Sequence, residues 1–221
     1  MRGNYIDFLR DRYPDLLVAT QEHLIISLVS IVLGAALAVP LGVYLSGNRK
    51  KFLHTAVFSV ANLFQTIPSL ALLAVLIPLM GIGMRPAIFA LFLYAILPIL
   101  RSTYAGFQSV DPSVLESAKG MGYSKTQRLL QIQFPLAFPY IMSGIRLTTV
   151  YIISWTTLAA LIGAGGLGQL IISGIGVNKT ELIVSAAVCA IILALLADRL
   201  LGLLEKQFSR KARTAPDMSL I

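Results

Sequence analysis

Long uncharged apolar stretches dominate this sequence and limit what it can fold into. They run over 24–48, 52–84, 86–100, 147–178 and 182–197. A helix rises about 1.5 Å per residue, so about 20 apolar residues cross the hydrocarbon core of a membrane. The stretches over 86–100 and 182–197 are shorter than that, and we expect their helices to continue through Arg101 and Asp198. The sequence therefore predicts an all-α, polytopic membrane helix bundle of about five spans. A sixth span requires 52–84 to divide, and one tilted or broken helix is the simpler interpretation.

The composition and the charges agree with a membrane protein. Charged residues make up 13% of the chain, against about 25% in soluble domains. The net charge of +8 is explained by basic cytoplasmic loops and requires no nucleic acid. With five spans, one side of the membrane receives five cations and the other receives eleven: Arg49, Lys50, Lys51, Arg101, Lys119, Lys125, Arg128, Lys206, Arg210, Lys211 and Arg213. The amino terminus is thus predicted outside and the carboxyl terminus in the cytoplasm.

Three regions follow from this pattern. Residues 1–22 are predicted as a polar or interfacial segment, 23–203 as the transmembrane domain with a cytoplasmic loop at about 109–135, and 204–221 as a basic cytoplasmic tail. A cleaved signal peptide is the alternative for the first span, but 24–48 exceeds the usual apolar region of about 7–15 residues. No metal site is predicted, because Cys189 is the only cysteine and the two histidines lie at opposite ends of the first span.

The cytoplasmic loop has the signals of two short helices joined by a turn. Asp111 and Ser124 can each cap a helix, and Gly120 and Gly122 between them favour a turn. Pro135 is expected to end or kink the second helix. The pair is too polar to span a membrane, which predicts that it lies along the cytoplasmic surface and docks a partner.

The same loop resembles the cytoplasmic signature of permease subunits of ABC importers, which reads Glu-Ala-Ala, three residues, Gly, nine residues, then Ile-x-Leu-Pro. Here it is Glu116-Ser117-Ala118, then Gly122, then Ile132-Gln133-Phe134-Pro135, with both spacings intact. The resemblance implies a coupling helix that inserts into a groove on an ATPase subunit. The residues it assigns to coupling are Glu116, Ser117, Ala118, Met121, Gly122, Tyr123, Ile132 and Pro135.

A second resemblance covers most of the chain. Residues 65–73, QTIPSLALL, and 158–168, LAALIGAGGLG, are similar to permeases for glycine betaine, carnitine and choline, which are osmoprotectant importers of the type I fold. This implies a bacterial plasma-membrane complex of two permease subunits, identical or paralogous, with two P-loop ATPase subunits and an extracytoplasmic binding protein. ATP and Mg would be bound by the partner ATPase, with no cofactor in this chain and no enzymatic activity of its own. The nearest approach to a P-loop places Asn48 where the lysine must be.

Two other readings remain open. An amino acid or another small zwitterion is the alternative cargo. A non-transporting membrane receptor or channel, with the same loop as a partner dock, is the alternative from a different functional class.

Polar and aromatic residues inside the spans mark a candidate translocation pathway. Gln65 and Pro68 interrupt apolar sequence, which indicates either a packed kink or a segment that lines the pathway. Tyr94, Tyr151 and Trp155 offer aromatic faces that attract quaternary ammonium ions. Packing and lipid contact are the alternative role of these rings.

The glycines of 163–168 form a candidate outer gate. Gly163, Gly165, Gly166 and Gly168 satisfy G-x-G-x-x-G, but the βαβ context of a dinucleotide site is absent from the pattern. They are expected to allow a tight outer turn or re-entrant bend beneath the docked binding protein, or to serve close helix packing alone. Arg146 is expected near the cytoplasmic end of the fourth span, or paired.

Overall fold

The computed structural model of this protein describes residues 5–48 and 50–213, and every regular element in these ranges is a helix. The elements are α1 (Tyr5–Gly47), α2 (Lys51–Thr66), α3 (Ser69–Met80), α4 (Met84–Gln108), α5 (Pro112–Gly120), α6 (Lys125–Gln127), a π-helical turn (Arg128–Gln133), α7 (Phe134–Ala159), a 3-10 turn (Ala160–Ile162), α8 (Leu167–Gly176) and α9 (Thr180–Arg213).

The predicted number of spans is confirmed. Four helices are long and apolar enough to cross a membrane, and the bent pair α2 and α3 makes a fifth unit. This pair resolves the 52–84 stretch as one broken helix whose halves meet at 96°. The break is local in origin: Pro68 disfavours helical geometry in the preceding residue, and Ile67 is extended with φ −71 and ψ 127.

The ends of the chain are more helical than predicted. From Tyr5 onward the segment 1–22 is continuous with the first span, as one helix that ends at Gly47. The segment 204–221 continues α9 as far as Arg213. Residues 1–4 and 214–221 lie outside the described residues.

The fourth span occupies only part of the apolar stretch 147–178, since the candidate span covers Lys125–Ile162. The helix that enters this region, α7, ends at Ala159, and α8 is a separate short helix. The reason lies in the glycines between them: Gly163, Gly165 and Gly166 have φ of 71, 82 and 76. This left-handed backbone interrupts a right-handed helix and suits glycine.

Of the two effects predicted for Pro135, an end of the helix is not found. Pro135 lies in the first turn of α7, directly after the π-helical turn Arg128–Gln133, and such a turn is one of the usual places where a helix kinks. The chain therefore passes from α6 through the π-helical turn into α7, and 125–162 forms one candidate span.

Helix α4 is the centre of the bundle, and small residues bring α1 and α7 close to it. A Cβ built on Gly34 of α1 would lie 2.7 Å from the Cβ of Ala95. A Cβ on Gly144 of α7 would collide with Ser102. Van der Waals packing of this kind drives helix association in lipid.

The bundle has two distinct ends. At one, called here the glycine end, the amide of Gly83 donates to the carbonyl of Ile162 at 2.9 Å. At the other, the loop end, the side chain of Gln108 donates to the carbonyl of Ser46 at 3.3 Å. The turns at 81–83 and 163–166 thus share one end, and those near 48 and 109–124 share the other.

This packing predicts that Gly144→Ala destabilises the protein. The added methyl meets Ser102 beside the backbone of α4, and overpacking of this kind costs about 1–3 kcal/mol. The measurement is thermal unfolding of the purified chain in detergent. Gly176→Ala is the matched control, because nothing lies within 4 Å of the added Cβ there. Equal unfolding temperatures for the two variants would contradict the close approach of α4 and α7.

Candidate functional sites

The loop between α4 and α7 has the caps and the turn that the sequence predicts. The Asp111 carboxylate caps α5 and accepts a hydrogen bond from the Ser113 amide at 2.8 Å, which lowers the pKa of Asp111 below its ordinary value. Helix α5 ends at Gly120, and Gly122 follows with φ 86. The Ser124 side chain accepts from the Gln127 amide in a capping box. The loop is therefore an ordered helix and turn.

The predicted coupling residues divide into an exposed tip and a packed base. Met121 is 57% exposed and Tyr123 is 37% exposed, so the turn presents two large apolar side chains. The other residues of the tip, Glu116, Ser117 and Gly122, are exposed as well. Three residues of the signature are packed instead: Ala118 is buried, and Ile132 and Pro135 are half-buried. The exposed part of the predicted coupling residues is therefore the tip.

A cavity of about 300 Å³ lies among α2, α4 and α7. It is lined by Gln65, Tyr94, Leu97, Pro98, Arg101, Thr148, Tyr151, Ile152 and Trp155. The structure thus brings together every predicted pathway residue except Pro68, which lies at the bend of the broken helix and does not line the cavity. Sequence reasoning missed Arg101 and Thr148. The signal that could have found Arg101 is its spacing of seven residues from Tyr94, because this spacing places both side chains on one face of a helix.

Three aromatic rings form one end of this cavity. The centroids of Tyr94 and Trp155 are 4.8 Å apart in an edge-on arrangement, and those of Tyr151 and Trp155 are 6.2 Å apart and stacked. The Tyr94 hydroxyl donates to the carbonyl of Ile67 at 2.6 Å, and the Gln65 amide donates to the carbonyl of Tyr94 at 2.6 Å. These two bonds join the bend of the broken helix to α4 and hold the rings in place.

The opposite end of the cavity is polar and cationic. The Arg101 guanidinium donates to the side-chain oxygen of Asn62 at 2.8 Å and remains exposed. None of the nine lining residues is acidic. The cavity therefore combines π-faces with one positive charge and no negative one.

The four glycines predicted as a gate lie at the glycine end, bonded to the start of the first span. The Gly166 amide donates to the Glu22 carboxylate at 2.8 Å, and that carboxylate fills the space where a Cβ on Gly165 would be. Three of the glycines make the turn, whereas Gly168 packs directly on the backbone of Thr157. Turn formation and close packing therefore both occur in this segment.

The Arg146 guanidinium forms ion pairs, which was one of the two situations predicted for this residue. It donates two hydrogen bonds to Asp198, at 2.6 and 2.8 Å, and one to Glu205 at 3.3 Å. The bidentate geometry with Asp198 joins α7 to α9. These carboxylates explain how an arginine is tolerated inside a candidate span.

Fold and sites together define a transmembrane subunit of an ABC importer. Residues 38–210 match the family described as the binding-protein-dependent transport system inner membrane component, and the chain belongs to that family. It is 47% identical over 204 residues to the glycine betaine/carnitine/choline transport system permease protein OpuCB of Bacillus subtilis, covering 92% of this chain and 93% of the relative. It is 44% identical over 207 residues to the carnitine transport permease protein OpuCB of Listeria monocytogenes, covering 94% of each. The predicted family is confirmed, and the chain is a multi-pass membrane protein.

Solved structures show the same fold at lower identity. An inward-facing MetNI methionine ABC transporter superimposes with a TM-score of 0.80 at 24% identity, over 90% of this chain and 98% of that one. An amino acid ABC transporter with histidines gives a TM-score of 0.77 at 18% identity, over 94% and 100% of the two chains. The predicted type I architecture is thereby confirmed.

The contact between α1 and the glycine turn predicts a local effect of Glu22→Ala. Removing the carboxylate leaves the part-buried Gly166 amide without its acceptor, and an unsatisfied donor costs about 1–3 kcal/mol. Amide hydrogen exchange of the 163–166 segment is expected to accelerate about tenfold. Asp15→Ala is the control, since it breaks only an exposed pair with Arg12. Unchanged exchange in the Glu22 variant would show that this bond does not hold the turn.

Proposed function

We propose that this chain is the permease subunit of an ATP-driven importer for a quaternary-amine compatible solute, glycine betaine, carnitine or choline. The observation that supports this cargo is the aromatic cavity among α2, α4 and α7, which has no acidic lining residue. A quaternary ammonium ion has no hydrogen-bond donor and is recognised by the faces of aromatic rings. Tyr94, Tyr151 and Trp155 supply such rings within a single cavity. The names of the relatives agree with this cargo.

The open side of this cavity is the face expected to line the pathway. Tyr151 is 48% exposed there, and Arg101 is exposed as well. A guanidinium costs about 2.5–3.5 kcal/mol at the centre of a membrane helix and less toward its end, so this face favours water or a protein partner over lipid. A second permease subunit, identical or paralogous, would cover it, and the remaining surface would meet lipid.

The loop end would face the cytoplasm of a bacterium and the glycine end the outside. The eleven cations assigned to the loop side support this orientation through the positive-inside rule. An extracytoplasmic binding protein would then dock above 163–168, where the glycine turn would act as an outer gate. Two P-loop ATPase subunits, which hold ATP and Mg, would bind the exposed tip at Met121 and Tyr123.

The covalent order of the helices suggests how ATP would drive transport. The loop with α5 directly joins α4 and α7, and these two helices form opposite walls of the cavity. Closure of the ATPase dimer would displace the tip, and the displacement would pass to both walls at once. Access to the cavity would then alternate between the two ends of the bundle.

The cargo is tested by uptake of labelled glycine betaine, carnitine and choline into vesicles that hold the complete complex, with and without ATP. Trp155→Leu is expected to lower uptake about tenfold, because a desolvated cation–π contact is worth about 1–2 kcal/mol. Trp155→Phe retains an aromatic face and is expected to lose less. Full activity of the leucine variant, or ATP-driven uptake of an amino acid instead, would count against the quaternary amine.

Gly122→Asp tests the coupling role of the tip. At φ 86 a side chain is strained by about 1–2 kcal/mol, and the added carboxylate would face the ATPase groove. We expect ATPase activity to continue while uptake is lost, with the subunit still in the membrane. Gly120→Asp is the control, since the position is open and free of positive φ.

Normal uptake by the Gly122 variant would argue against coupling through this turn.

Co-purification separates the transporter from a receptor or channel. A P-loop ATPase is expected to co-purify with this chain. A stable complex that contains no such ATPase would favour a non-transporting receptor or channel.

A further inference from the structure

Arg101 and Arg146 both lie inside candidate spans, and they differ in whether a carboxylate pairs with them. Arg146 pairs with Asp198 and Glu205, whereas no ion pair of Arg101 is formed among residues 5–48 and 50–213. Arg101 lies seven residues before the end of α4 at Gln108, about 10 Å along the helix. A guanidinium has five N–H donors, and Asn62 accepts from one of its nitrogens. Most of its donor capacity is therefore available to a ligand.

The two walls of the cavity place this cation opposite the aromatic rings. On α4, Tyr94 and Arg101 are seven residues apart, which is about 10 Å along one face. On the facing helix α7, Thr148 and Trp155 have the same spacing. Trp155 is beside Tyr94, so the aromatic groups gather toward the glycine end and the cation lies toward the loop end.

Three other polar side chains of the lining, Thr148, Gln65 and Tyr94, already have partners. The Thr148 hydroxyl donates to the carbonyl of Gly144 at 2.7 Å. The Gln65 amide donates to the carbonyl of Tyr94. Arg101 is the one cation among the nine lining residues and the one with a fork of free donors. Such a fork matches the two oxygens of a carboxylate.

We propose that the cavity selects zwitterions, with the quaternary ammonium on Trp155 and Tyr151 and the carboxylate on Arg101. The proposal rests on the proposed function, since it assigns the cargo's second group within the same cavity. Glycine betaine and carnitine have a carboxylate that Arg101 can bind. Choline has a hydroxyl in its place and a net positive charge, which Arg101 repels. Arg101 thus discriminates between solutes that share the same ammonium group.

The test compares Arg101→Gln with the native protein in proteoliposomes that contain the complete complex, ATP and saturating loaded binding protein. Maximal uptake rates are measured there for glycine betaine and for choline, and KM is measured with the concentration of loaded binding protein varied. Hydrogen bonds to a charged group favour the betaine by at least about tenfold, so the betaine-to-choline ratio is expected to fall by that factor. Choline uptake is expected to become faster, because the repelling charge is gone, and it shows at the same time that the variant folds.

Two further variants sharpen the result. Arg101→Lys keeps the charge without the fork and is expected to retain part of the preference for betaine. Arg85→Gln removes a cation from the same helix outside this cavity and is expected to leave the ratio unchanged.

The outcomes separate the two proposals. If the native complex takes up none of glycine betaine, carnitine and choline with ATP, the proposed function fails. If it takes up glycine betaine and choline and Arg101→Gln leaves their ratio unchanged, Arg101 does not bind the carboxylate, and this inference is overturned while the importer stands.

Discussion

The close packing of α4 against α1 and α7 is the contact on which the rest of this structure depends. Lipid tails are as apolar as the side chains, so the hydrophobic effect contributes little when membrane helices associate. The surfaces of the helices must therefore fit closely enough for van der Waals packing. Gly34 and Gly144 remove side chains where Ala95 and Ser102 approach. With α4 fixed between two neighbours, its Tyr94 and Arg101 face α7 across a cavity. A looser approach would leave neither the cavity nor its walls defined.

Polar groups inside the spans follow a second constraint, since water is not there to satisfy them. Thr148 and Thr156 donate back to carbonyls of their own helix at 2.7 Å. The bend after Thr66 gives its free carbonyl at Ile67 to Tyr94. Arg146 is neutralised by two carboxylates. Against this background Arg101 is exposed and, among the described residues, has Asn62 as its one hydrogen-bond partner.

The order of elements along the chain connects the two sites. The loop tip and the cavity share the helices α4 and α7, with α5 between them. The glycine turn lies at the other end of α7 and is bonded to α1 through Glu22. Movement of one helix, α7, would therefore reach both ends of the bundle. Rigid helices with ordered turns suit such transmission better than a slack loop would.

The sequence by itself determined the features that depend on local chemistry. Apolar stretches predict the spans, Asp111 and Ser124 cap their helices, and the spacing from Glu116 to Pro135 identifies the family. Pro68 predicts a break in 52–84, because proline alters the backbone wherever it stands. Four of the five candidate pathway residues, which were chosen from their chemistry, line one cavity. Even so, local rules left open whether Pro135 ends or kinks its helix, and in the structure that helix continues into α7.

Only the tertiary structure decided which residues meet. The bond from Gly166 to Glu22 joins positions 144 apart in the chain, and no periodicity predicts it. The bond from Arg101 to Asn62 and the ring contact of Tyr94 with Trp155 depend on how helices align side by side. That alignment is set by small residues at the contacts, whose partners a single sequence does not reveal. The sequence thus predicts the helices, whereas the cavity between them depends on how the helices pack.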